Sequence, residues 1–586
     1  MKFLYTYLKK YIPRISFVMA VKLVAAVVEL LLPYILEYLI DEVAPSRQVS
    51  AAVLWGVVMI GLALLVRFLN VFANRNGADI ARKSTYEIRR DLFWHSVNLS
   101  GSRMDSFGLP SITSRMTSDS YNVQNFVRAM MAMGVRAPIL LLGGICITLT
   151  MDTGLALILC IIAPIVVTAI VCISLKGIPL YAAVQRRLDT VARIMRENIT
   201  GIRVVKALSK ERYEMNRFAG GNALLTADER KAGIIMAMPG PIMTFFLNVG
   251  LTLVVVVGAH RVNAGVTKPG VILAFLTYFN MILMGAMGIN RIFMMMSKAN
   301  ASANRIAEVI RTPDDLAPIP EEKAAHTEDP AFIRFDHVSF RYGENSTVET
   351  GVQFDGESRQ MSLCDVDFAI QKGGSLGIIG ATGCGKTTIV NLLMRFYDAT
   401  QGSVFVDGRD VRTYDRDTLR RMFGVVFQND VVFADTIAEN IRFGRAVTDE
   451  DMESAAKDAR AAEFIEEYED RYDHRASIGG ANFSGGQRQR LLISRALAAD
   501  PRILVLDDAS SALDYRTDAA LRKAIRERYA DVTTIIIAQR ISSIMTLDNI
   551  LMLDEGKVIG YGSHDQLLRT CPAYREIFEA QMGEGE

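Results

Sequence analysis

Six apolar stretches, each long enough to cross a hydrocarbon layer about 30 Å thick, begin near Ile15, Ala52, Val127, Leu155, Ile234 and Val271. No further stretch of this kind follows Met296. Backbone amides carried into lipid must find their partners within the chain, so these stretches are expected to form a bundle of membrane-spanning helices. The chain has 586 residues, half of them hydrophobic, and the remainder is long enough to build a second core facing water.

Three of the connecting segments are short: Asp41 to Ser50, Met151 to Gly154 and Ala259 to Gly270. Two are long and polar, Ala73 to Phe126 and Lys176 to Lys231, and they carry the cations: Arg75, Arg82, Lys83, Arg89 and Arg90 in the first, Arg186, Arg187, Arg193, Arg203, Lys206 and Lys210 in the second. The positive-inside tendency makes both cytoplasmic, and the N-terminus with them. Met195, Ile199, Ile202 and Val205 keep helical spacing, so the spans are expected to continue as helices beyond the bilayer. The basic start, MKFLYTYLKKYIPR, lacks a small-residue cleavage pattern and reads as a first span, not a removable signal.

The Pro- and charge-rich stretch Arg311 to Pro330 reads as a linker between a membrane domain (1–310) and a soluble domain (331–586). Beyond it, short β-rich runs such as FIRFDHVSF, SLGIIG, GSVFVDG and RILVLDD alternate with helical patterns, which predicts an α/β domain. Lys plus Arg (65) nearly balances Asp plus Glu (64). No basic field exists to hold nucleic acid, which is not expected as a partner. The six cysteines show neither metal-ligand spacing nor the density of a disulfide scaffold, and read as free thiols.

The segment Gly380-Ala-Thr-Gly-Cys-Gly-Lys-Thr387 follows the strand predicted over Ser375 to Ile379 and precedes the helical run TTIVNLLMRF. That is the context of a phosphate-binding loop. Glycines such as Gly383 and Gly385 let backbone N–H groups close around phosphates, Lys386 reaches the β and γ phosphates of ATP, and Thr387, with Thr388 beside it, offers a hydroxyl to Mg²⁺. Cys384 sits inside the loop, where bound ATP is expected to cover its thiol. The apolar strand Ile503 to Leu506 ends in Asp507, a carboxylate suited to Mg²⁺. Between the two lies Phe483-Ser484-Gly485-Gly486-Gln487, whose N–H groups open a helix and can bind an anion, although a plain serine cap would look the same.

The phosphate loop, FSGGQ and LVLDD occur in the order and approximate spacing of the nucleotide-binding domain of ABC transporters, and the chain resembles that family along nearly its whole length. ENITGIRVVKALSKE and the stretch from GVILAF through ANRIAEV are similar to the second intracellular loop and last span of exporters with six helices per half. The resemblance implies that Tyr342 stacks on adenine and that Gln428 contacts Mg²⁺. It implies that Ser484, Gly485, Gly486 and Gln487 serve an ATP held by a second half-transporter, since two domains sandwich two ATPs. It also implies a multi-pass protein of a bacterial cell membrane, with the nucleotide domain in the cytoplasm.

Two departures stand out. The family usually has a catalytic Glu after the Mg²⁺ carboxylate, where this chain has Asp508, one methylene shorter, and Gln539 stands where the switch His normally follows the next strand. A carboxylate drawn back by about 1 Å can lose on the order of 100-fold in rate, and Gln cannot transfer a proton as His can. The combination resembles the degenerate subunit of heterodimeric multidrug exporters, whose partner carries the Glu and His. A homodimer using Asp508 as its catalytic carboxylate is the alternative.

For the cargo, Lys22, Glu29 and Glu37 share one face of the first span and Arg67, Asn70 and Asn74 one face of the second. Such charges either line a path or pair structurally, for instance Glu29 with Arg67 or Arg136. Methionines crowd the fifth and sixth spans, among them Met243, Met281 and Met294 to Met296, and serve packing or an adaptable apolar surface. Export of amphipathic small molecules or peptides is the function these features fit, with import of metal chelates and an ATP-gated channel as alternatives. Processing of a leader peptide by a peptidase domain ahead of the first span is not expected, and the chain is expected to end soon after the nucleotide domain. The acidic insertion Gly343 to Gln360 reads as a solvated loop.

Overall fold

A computed structural model describes residues 1–327, 329–342 and 361–583; the insertion Gly343 to Gln360 lies outside the described residues. By compactness the chain divides into two units, one made of Met1–His95 and Thr113–Arg311, the other of Ser96–Ile112 and Thr312–Glu586.

Among the described residues six helices are long and apolar enough to span a membrane, Lys2–Val43, Val49–Val97, Leu109–Met151, Thr153–Thr200, Glu211–Asn263 and Pro269–Ile310, and nearly all of their length belongs to the first unit. The sixth is the best buried. Its Phe275, Phe279 and Ile282 pack against Leu155, Leu159, Val166 and Val254, and its Ala274 and Tyr278 against Leu30 and Leu140. Tyr278 resolves the polar end of its ring by donating its hydroxyl to Leu30 O at 2.7 Å. A Cβ on Gly285 would stand 2.7 Å from Ala137 O, so glycine permits the close helix approach expected where lipid supplies no hydrophobic drive. By contrast Leu54, Ile60, Leu64 and Phe68 of the second helix are exposed, as residues facing lipid tails can be. Asp152 starts the fourth helix by accepting from the N–H groups of Gly154 (2.9 Å) and Leu155 (3.1 Å), and Arg261 neutralises it at 3.1 Å.

Some of the intramembrane charges are paired. Arg136 grips Glu29 through two of its nitrogens at 2.7 and 2.9 Å, and Lys22 donates to Asn70 at 2.8 Å. In the helical extensions beyond the spans, Asp119 accepts from Ser302 at 2.8 Å and pairs with Arg305.

The second unit holds two sheets. Strands β1 (Ile333–Phe340), β2 (Leu363–Ile370), β4 (Gln401–Val406) and β5 (Arg409–Asp410) form an antiparallel sheet in the order β2-β1-β4-β5. The larger sheet, in the order β10-β9-β3-β8-β7-β6, contains β3 (Ser375–Gly380), β6 (Phe423–Val426), β7 (Ile503–Asp507), β8 (Thr533–Ile537), β9 (Asn549–Asp554) and β10 (Lys557–Gly562). All its pairings except β9–β10 are parallel. The carboxyl ends of β3, β8 and β7 therefore lie side by side, where open parallel sheets bind ligands. Each of the five parallel strands, β9, β3, β8, β7 and β6, is a near-continuous apolar run, as strands covered on both faces must be.

The stretch Arg311 to Pro330 is not free chain where it leaves the sixth helix. Leu316 is buried, Ile319 N donates to Arg412 O at 2.9 Å, and the buried Arg395 donates to Ala317 O at 3.1 Å. Apolar residues interspersed among the prolines account for this docking. Part of the first long connection also belongs to this unit: Gly101 N donates to Phe396 O at 3.1 Å, and Tyr397 donates to Asp105 at 2.6 Å. All six cysteines are free thiols.

Candidate nucleotide site

Gly380 closes β3, and the chain then turns through Gly383 (φ 87°) and Gly385 (φ 103°) into the helix Lys386–Leu393. Both glycines adopt backbone conformations that a side chain disfavours. At Gly385 a Cβ would also meet Ser362 O at 2.6 Å. The first-turn N–H groups of that helix have no intrahelical acceptors and face the loop, which makes a cradle for an anion.

A cleft of about 220 Å³ opens over this cradle, and its walls include Tyr342, Thr382, Lys386, Gln428, Asp507 and Asp508, with Gln539 at the edge. Lys386 extends along the loop and donates to the carbonyls of Gly380 and Ala381, both at 2.8 Å. Its ammonium is thus parked beside the cradle. Thr387 donates its hydroxyl to Asp507 across 3.0 Å. This hydroxyl, this carboxylate and the Gln428 amide oxygen are the hard oxygen donors that suit Mg²⁺. Burial holds the carboxyl of Asp507 above the usual range, against the pull of Thr387 and Lys386.

Asp508 is held from several sides. Its backbone is left-handed (φ 53°), a conformation Asp tolerates better than most residues. Its N–H donates to Ile537 O at 2.9 Å, on the neighbouring strand. Its carbonyl accepts from Gln489 Nε2 at 3.1 Å and from Ser511 Oγ at 2.9 Å. Its carboxylate accepts from Gln539 Nε2 at 3.1 Å. Burial raises its pKa as well, opposed by Lys386 and the Gln539 bond.

Tyr342 hydrogen-bonds Thr388 Oγ1 at 3.2 Å and accepts from Asn391 at 3.2 Å, and its ring meets Phe340 and Tyr397 edge-on. The Cys384 thiol departs from expectation. It is already buried beneath the loop at 5% exposure, because the loop folds the side chain inward, where a Cβ on Gly380 would lie 2.7 Å from Sγ. What Cys384 can offer a phosphate is its backbone.

Ser484, Gly485, Gly486 and Gln487 do not line this cleft. They start the helix Gly485–Leu497 in a reciprocal cap, with Ser484 Oγ accepting from Gln487 N at 3.2 Å and Gln487 Oε1 from Ser484 N at 2.8 Å. Gln489, on the same helix, was not marked by any motif. Its amide accepts from Ala512 N at 3.0 Å while donating to Asp508 O, so it ties the segment after β7 to the FSGGQ helix. Ser362 and Thr382, also in the cleft wall, carry no signal beyond their nearness to the loop.

A family model described as the ABC transporter transmembrane region matches residues 15–287, and one described as ABC transporter matches residues 363–511. An ABC transporter ATP-binding protein of Mycobacterium tuberculosis is 32% identical over 98% of this chain and 97% of its own length. The Bacillus subtilis ABC transporter ATP-binding protein YfiB is 33% identical over 99% and 98%. Among solved structures, a bacterial Atm1-family ABC exporter with ATP bound superposes with a TM-score of 0.79 at 23% identity, covering 99% of each chain.

Proposed function

Because the chain belongs to the ABC transporter family and joins its membrane and ATP-binding domains in one polypeptide, we propose that it is the degenerate half of a heterodimeric exporter of amphipathic small molecules or peptides. On this reading its own phosphate loop binds Mg²⁺ and ATP but hydrolyses slowly, while Ser484 and Gly486 complete the competent site of a partner that carries Glu and His. The membrane domain spans a bacterial cell membrane with the nucleotide domain in the cytoplasm.

The observation that carries the proposal is the Asp508–Gln539 hydrogen bond. A general base needs a carboxylate free to accept a proton from attacking water, and this one is short, only half-buried, and has one oxygen engaged by an amide that cannot relay a proton. Binding is a separate matter. Lys386, the loop N–H groups and the Thr387–Asp507 pair supply what the polyphosphate and its cation need, and Mg²⁺ there would screen charge on the phosphate oxygens.

Steady-state ATPase of the purified transporter tests this. Asp508→Ala is expected to cost less than about threefold, whereas Gly486→Asp, which sets a charge against the partner's γ-phosphate, is expected to cost about 100-fold. Equal losses, or vigorous hydrolysis by a homodimer of this chain, would return Asp508 to a catalytic role.

A further inference from the structure

The first unit contains a cavity of about 350 Å³ whose lining includes Asn74 of the second helix, Asn125, Arg128 and Met133 of the third, and Arg291 and Met295 of the sixth. We propose that it receives the anionic head of an amphiphile, so that the cargo carried by this half is an acidic amphipath. The inference rests on the transport reading above and adds the charge class of what is carried.

Several cations of the unit pair with carboxylates, Arg136 with Glu29, Arg115 with Glu308, Arg305 with Asp119 and Arg261 with Asp152. Among the described residues that line this cavity there is no carboxylate, so its two guanidiniums meet none there. Arg128 is met by an amide oxygen, Asn125 Oδ1, at 3.3 Å. Both side chains are exposed and so open to a ligand, and an arginine is a fixed cation. Two such groups converging from different helices can hold one carboxylate, sulfonate or phosphate in charge-assisted bonds. Asn74 and Asn125 add neutral donors. Met133 and Met295 give an adaptable apolar wall for the first carbons of a tail. The volume suits a head group with a few methylenes, leaving the rest of the chain in the bilayer or the open path.

An opposing explanation is that both arginines only enforce topology, as cations near membrane ends do. That role needs charge but no chemical discrimination inside the cavity. The two are separated by measuring affinity for dansyl-undecanoate and for its uncharged primary amide, using the full-length transporter in phosphatidylcholine nanodiscs without nucleotide. The acid is expected to bind about tenfold tighter or better. Arg128→Gln and Arg291→Gln should each erase most of that preference while leaving the amide's affinity and azido-ATP labelling unchanged, and Arg→Lys at either position should restore part of it. Adding phosphatidylglycerol distinguishes the source of the head group: competition identifies anionic lipid, and its absence a soluble amphiphile.

Equal affinity of wild-type protein for acid and amide overturns the proposal, and so does a preference that survives in the double Gln variant. Uptake into inside-out vesicles reads the underlying assumption separately. Acid-selective binding without ATP-driven uptake leaves the anion site standing and removes export, whereas uptake of a cationic dye with no acid preference does the reverse.

Discussion

Gln539 and Asp508, 31 residues apart in the chain, meet across 3.1 Å at the ends of adjacent parallel strands. The bond engages one oxygen of a carboxylate already one methylene shorter than Glu. Replacing the pair with Asp508→Glu and Gln539→His should therefore raise hydrolysis at this site by about 10- to 100-fold. Single-turnover cleavage of ATP bound to this chain, with the partner's site silenced, measures it directly. No gain would show that these two residues do not limit hydrolysis at this site.

Gln489 holds the carbonyl of Asp508 and the N–H of Ala512 at once. Gln489→Ala leaves both partners short of a bond, and should lower the domain's stability by about 1–3 kcal/mol. Thermal melts check this. Gln489→Glu, which keeps the acceptor and loses the donor, should fall between the two.

The carboxyls of Asp507 and Asp508 are both held above the usual range, chiefly by burial. A raised folded-state pKa means that the folded domain keeps a proton that the unfolded chain releases, so stability declines as pH rises from the ordinary Asp value through the raised one. Asp507→Asn should accordingly raise the melting temperature of nucleotide-free protein more at pH about 7.5 than at about 4.5. An equal rise at both values would remove ionisation as the cause.

Burial of the Cys384 thiol under the loop predicts slow maleimide modification whether or not ATP is present, since a covered thiol reacts only when the loop opens. Mass spectrometry of labelled protein should show Cys364, partly exposed in the second unit, modified before Cys384. Rapid labelling of Cys384 that ATP suppresses would place the thiol in the cleft instead.

In the membrane unit, Glu29 and Arg136 form a bidentate pair. If the pair is structural, Glu29→Gln and Arg136→Gln should each destabilise the protein, and the double variant should be no worse than either. The coupling energy should be about 1–3 kcal/mol. Additive losses in stability, or loss of transport alone, would assign these charges to the cargo path.

The spans, the phosphate loop and the Asp507 strand were readable in the sequence because each is a local pattern, a length of apolar residues or a strand–glycine–helix succession. Glu29 with Arg136 was one of two pairings the sequence allowed, and packing chose between them. Asn70, grouped with Asn74 by helical periodicity, turns instead to Lys22, leaving Asn74 in the cavity. That cavity draws on positions 74, 128 and 291, and no periodicity within one helix can predict which faces of three helices converge. The left-handed backbone at Asp508 and the Gln489 tie depend on contacts 19 and 23 residues apart. The docking of 312–320 onto the soluble unit was masked by its prolines and charges, which resemble those of any exposed connector.

Ser484 and Gln489 stand five positions apart on one helix, which is about 7.5 Å of rise. A rod so short does not bend appreciably, and its far end is fastened to the main chain of Asp508. A shift of that main chain can therefore reach the helix that Ser484 caps through this one side chain. On the proposed reading, nucleotide bound at this site would be felt at the FSGGQ cap without having to be hydrolysed.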